Sequence, residues 1–78
     1  MAEWRTFRKM NELLNAAERL AGDKFQRWYY TAIESVNEDI ATIVIKDRGN
    51  GLDVCRVSFS FDARPAEIAR MLRNAVRI

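Results

Sequence analysis

Two sets of side chains in this sequence could act chemically at a surface. The first is the run Arg70, Arg73 and Arg77, spaced three and four apart, with Arg64 ahead of it. A guanidinium presents a planar fork of donors that grips a phosphate or a carboxylate at two points. The second is Trp28 and Tyr30, two residues apart, which a sheet could bring beside Arg56. Tryptophan, tyrosine and arginine are the commonest anchors at protein interfaces, and an aromatic–cationic surface also stacks bases. Each set has a bland reading beside the sharp one. The arginines also suit a solvated helix face near the negative end of the helix dipole, and the aromatics suit a sheet that merely shields itself.

Catalysis lacks its usual parts. The chain has no histidine and one cysteine, so the commonest general base and the common zinc-ligand sets are missing, and no internal disulfide can form. Cys55 falls on the apolar side of an alternating run, where a thiol serves as a small hydrophobe. The carboxylates Glu34, Glu38, Asp39, Asp47 and Asp53 sit mostly near expected turns. Arg48 to Gly51 holds two glycines but lacks the Lys-Ser/Thr ending of a phosphate loop and precedes a strand, so it reads as a hairpin turn. No catalytic residue, cofactor site or metal site is expected.

The elements that must position these side chains are organised around Asp39 to Phe61. Two β-branched and aromatic runs, 39–46 and 52–61, flank the glycine-containing loop, and glycine supplies the backbone angles a tight reversal needs. In the second run Cys55, Val57, Phe59 and Phe61 share one face while Arg56, Ser58 and Ser60 share the other. A slip of one residue would bury arginine and expose phenylalanine, so the pattern sets which face meets the core.

Ahead of the hairpin, Phe7, Met10, Leu13, Leu14, Ala17, Leu20 and Ala21 recur at helical spacing and predict a helix over 3–21, with Gly22 as its C-terminal cap. The segment 25–36 allows two readings. Phe25, Tyr29, Ala32, Ile33 and Val36 would line a helix, whereas the run Trp28 to Thr31 favours a strand. An isolated two-stranded hairpin is marginal, so we read 25–36 as a third strand. Tyr29 and Ile33 then point inward, and Trp28, Tyr30, Ala32 and Glu34 point outward beside Thr42, Val44 and Lys46. After the hairpin, Pro65 and Glu67 suit a first helical turn, and Ile68, Met71, Leu72, Ala75 and Val76 form a stripe, predicting a helix over 64–76.

The expected fold is therefore α+β, a single domain over residues 1–78 ordered helix, three-stranded antiparallel sheet, helix (αβββα), with both helices on one sheet face. Seventy-eight residues leave no room for a second core. This order of elements resembles that of double-stranded RNA-binding domains across nearly the whole chain. The resemblance implies phosphate contacts from the start of the last helix, where those domains carry a lysine cluster. Here that position reads Arg64-Pro-Ala-Glu-Ile68, with one positive and one negative charge.

A formal net charge of +2 is too slight to argue for nucleic acid by itself. No apolar stretch approaches a membrane span, and the first ten residues hold no secretory core. The expectation is a cytoplasmic, non-catalytic interaction protein that binds a larger protein in an accessory, regulatory or phage-type inhibitor role. Its contacts would come from Trp28, Tyr30 and Arg56 or from Arg70, Arg73 and Arg77. A nucleic-acid-binding module using the same patches is the alternative, and self-pairing into a homodimer stays open.

Overall fold

The computed structural model describes residues 2–78, with side chains from Arg8 onward. A long helix, α1 (Ala2–Ala21), is followed by a short one, α2 (Asp23–Trp28). Three strands, β1 (Tyr29–Val36), β2 (Ile40–Asp47) and β3 (Asp53–Ser60), form an antiparallel meander, and α3 (Pro65–Ala75) closes the chain. The domain is α+β, and both long helices pack on the same face of the sheet.

The core forms where the apolar stripes meet. Met10, Leu14, Ala17 and Ala21 of α1 and Ile68, Ala69 and Leu72 of α3 close over Ala41, Ile43 and Ile45 of the central strand. Val57 and Phe59 extend it along β3, as their alternation with Arg56, Ser58 and Ser60 requires. Ala75, expected in the α3 stripe, is exposed, and Ala69 takes the buried position instead. Phe7 lies outside the residues with described side chains.

The segment 25–36 is not one strand. Residues up to Trp28 belong to α2, and only from Tyr29 onward is the backbone extended. A six-residue helix has little stability alone, because nucleation is unfavourable and so few bonds follow. Two sets of contacts hold it. Phe25 is fully buried in the core and lies 5.6 Å from the Tyr29 ring. The β2–β3 loop supplies the second: Arg48 donates through Nε to the Gln26 carbonyl (2.8 Å), through Nη2 to that of Tyr29 (3.1 Å), and through its backbone N–H to that of Trp28 (2.9 Å). Carbonyls at a helix end need such partners, and here they come from a residue 19 to 22 positions away. Gly22, at φ 99° and ψ 174°, makes the reversal between α1 and α2 in a region open essentially to glycine alone.

Asp47 and Asn37 shape the turns of the sheet. Asp47 Oδ1 accepts from the N–H groups of Gly49 (2.7 Å) and Asn50 (3.3 Å). Asn37 Oδ1 accepts from those of Asp39 and Ile40 at the β1–β2 turn. A bulge places Glu34 as an extra residue in β1, so that Ile33 and Val36 both reach the core, and Val54 is the extra residue in β3. No helix among the described residues is long and apolar enough to cross a membrane.

Candidate functional site: the α1–α3 groove

The outer face of the sheet satisfies its own charges. Arg56 Nε donates to Glu34 Oε1, and Arg56 Nη2 lies 3.6 Å from Asp53 Oδ2. Lys46 Nζ donates to Asp53 Oδ1 at 2.8 Å. Two cations and two carboxylates thus run diagonally across the three strands. Their titration follows from the contacts: the Lys46 hydrogen bond holds the Asp53 carboxyl below its ordinary range, and the same bond raises the Lys46 ammonium. The Arg56 guanidinium is raised chiefly by its hydrogen bond to Glu34. Thr42 and Ser58 complete the face with a side-chain hydrogen bond of 2.8 Å. Val44, expected to be open here, is buried between Ala32 and Arg56, which lie opposite it in register.

Of the aromatic–cationic platform expected on this face, Trp28 is not part of the strand, whereas Tyr30 and Arg56 are on the sheet. Trp28 is 62% exposed, but it ends α2 and does not alternate with Tyr30 along a strand. Tyr30 does lie on β1, half-buried, with the Arg48 guanidinium 5.5 Å from its ring centroid. Arg56 is engaged by two carboxylates. Trp28 is thus an exposed helix-end residue, while Tyr30 and Arg56 share the outer sheet face, the ring beneath Arg48 and the guanidinium in ion pairs.

The opposite side of the molecule carries a groove of about 390 Å³ between the end of α1 and the length of α3. Its floor is apolar: Leu20 from α1, Ala66 and Ala69 from α3, and the terminal Ile78. Arg70 and Arg73 stand along it, with Asn74 beside them. The α3 positions follow the i, i+3, i+4, i+7, i+8 pattern, which is one face of a helix over rather more than two turns. Among the described residues, no carboxylate lies within ion-pair distance of Arg64, Arg70, Arg73 or Arg77. The cations of the sheet are neutralised, whereas those of α3 are not.

Helix termination decides which arginines share the groove. Ile78 N–H donates to the Arg73 carbonyl (3.0 Å) and Arg77 N–H to that of Asn74 (3.2 Å), the paired bonds of a Schellman cap. Arg77 sits in the left-handed region at φ 59°, where glycine is usual. The reversal takes Arg77 out of the helical series and puts Ile78 against the groove in its place. Of the three arginines expected to act together, Arg70 and Arg73 line the groove and Arg77 does not.

Leu20 and Ile78 were not expected at a surface site. Leu20 belongs to the apolar series of α1, yet Met10, Leu14, Ala17 and Ala21 already fill the core contact, which leaves Leu20 on the flank, 58% exposed. The width of that apolar stripe was the available signal. No signal in the sequence marks Ile78, whose place depends on a cap without glycine. Elsewhere, Cys55 is half-buried with Sγ 4.0 Å from the Ala75 carbonyl oxygen, and burial pushes its thiol up, away from the thiolate a nucleophile needs. No cluster of three or more potential metal ligands occurs among the described residues. No family model, curated protein or solved structure matches the chain.

Proposed function

We propose that this chain is a small non-catalytic interaction domain that works by occupying a surface on a larger protein, in an accessory, regulatory or inhibitory role. Its contact face is α3 with the groove beside α1. One contrast supports this reading: the cations of the strands are paired within the molecule, while Arg70 and Arg73 have no carboxylate partner among the described residues and stand beside an apolar floor that includes the exposed Leu20 and Ile78. Surfaces that join exposed apolar side chains to arginine are the ones protein interfaces draw on. Cys55 as a lone thiol suits a reducing compartment, so the proposed location is the cytoplasm.

Capture of partners by tagged protein from a host lysate treated with nuclease tests the reading. The expected result is a protein partner retained after digestion and lost in an Arg70→Glu/Arg73→Glu variant. Loss of every partner on nuclease treatment would remove the reading and favour a second one.

That second reading is a nucleic-acid-binding module, and one observation speaks for it: four arginines, Arg64, Arg70, Arg73 and Arg77, lie on α3 or its ends without carboxylate partners among the described residues. Phosphate contacts release counterions, so affinity would fall steeply with salt, while an interface anchored on Leu20 and Ile78 would respond little. The apolar floor favours the first reading, because a phosphate backbone draws nothing from it.

A further inference from the structure

The groove carries enough detail to name the chemistry of what fills it, on the premise that α3 is the contact face. We propose that it receives an acidic amphipathic helix of the partner protein, with apolar side chains against Leu20, Ala66 and Ile78 and carboxylates on Arg70 and Arg73.

Charge selects the sign of the occupant. Two guanidiniums one turn apart, unpaired among the described residues, call for carboxylates at the same spacing, and a partner helix presents these at i and i+3 or i+4. Shape selects the form. The α3 residues that line the groove run from Ala66 to Asn74, a rise of about 12 Å at 1.5 Å per residue. The small side chains of Ala66 and Ala69 leave a shallow channel between the arginine arms and Leu20, into which the ridge of another helix can settle. Shape, not size, argues against a small-molecule site. At about 390 Å³ the groove falls within the range of such sites, roughly 300–1,000 Å³, but it is an open trough and not an enclosed cavity. Helix-in-groove recognition uses a few apolar anchors with charge set around them, and the groove offers both parts.

The test is a selection from a random peptide library displayed against the full chain, followed by affinity measurement on the enriched peptides. Enriched sequences are expected to place Leu, Ile or Phe at helical spacing with Asp or Glu between them. Their affinity should fall about 30-fold or more in Arg70→Glu/Arg73→Glu, the effect of losing true anchors. Arg70→Gln/Arg73→Gln should also weaken them, and Leu20→Ser should do so without altering the charge. A selection repeated on the Arg70→Glu/Arg73→Glu variant should return basic peptides, which only a folded groove of reversed sign can do.

Enriched peptides without acidic residues, or ones indifferent to Arg70 and Arg73, would overturn the proposal. If such peptides were instead lost in Trp28→Ala, the interaction-domain reading would stand while the groove assignment fell. Preferential binding of single-stranded RNA, with no peptide enriched, would overturn both.

Discussion

Arg48 stands over the ring of Tyr30, 5.5 Å from its centroid, while its side chain donates to the carbonyls of Gln26 and Tyr29. One residue of the β2–β3 loop thus ties α2 to the first strand and covers the aromatic beside it. Arg48→Ala should lower stability by about 1–2 kcal/mol, the range for charge-assisted bonds discounted for exposure. Arg48→Lys should keep little of it, because an ammonium cannot reproduce the fork. Urea midpoints of the three proteins check this, and an unchanged midpoint in Arg48→Ala would mean that α2 is held by Phe25 alone.

Glu18 plays the corresponding part for α1. Its Oε2 accepts from the Thr31 backbone N–H at 2.9 Å and from the Thr31 hydroxyl, which satisfies a donor in an edge strand. Glu18→Ala should destabilise by about 1–2 kcal/mol, the penalty for leaving a partly buried donor unpaired. Hydrogen exchange gives a sharper readout. The Thr31 amide should lose protection selectively in the variant, while the Ile43 and Ile45 amides in the centre of the sheet change only with global stability.

Both ends of α3 can be improved. Arg64 occupies the N-cap without a side-chain hydrogen bond, and Glu67 already stands at the third helical position. Arg64→Ser would create a capping box and should add about 1 kcal/mol. At the other end Arg77 holds φ 59°, so Arg77→Gly should add about 0.5–1 kcal/mol. Thermal melts of the single and double variants check both. Their gains should sum, because the two sites sit at opposite ends of the helix.

The sheet ion pairs make a pH prediction with a definite sign. Asp53 is held below its ordinary value of 3.8 by Lys46, so its stabilising contribution is present above that value and is lost as pH falls through the folded one. Lys46 is raised above 10.5, so its contribution is present at neutral pH and is lost only in strong alkali. The difference in melting temperature between the native chain and Asp53→Asn should therefore shrink from pH 7 towards pH 2. Because the pair is exposed, added salt at pH 7 should shrink it as well. A difference that held constant across this range would show that the contact does not persist in solution.

Local periodicity carried most of the architecture. The alternation in β3, the three-and-four spacing in α1 and α3, and the turn residues around Asn37 and Gly51 each act over a few neighbours, so they can be read from the chain alone. Arg70 and Arg73 were legible as partners for the same reason, being one turn apart on a helix. What could not be read depends on contacts between distant residues. Trp28 lies in a helix because Arg48, twenty positions later, satisfies its end. Arg56 is engaged because the sheet register brings Glu34 across to it, and Leu20 meets Arg70 and Arg73 only once α1 and α3 are laid side by side. Even Arg77, four residues from Arg73, leaves the stripe because the chain reverses into a left-handed cap that its side chain does not announce. Spacing determines which side chains share a face of one element, but only packing decides which faces are left over for a partner.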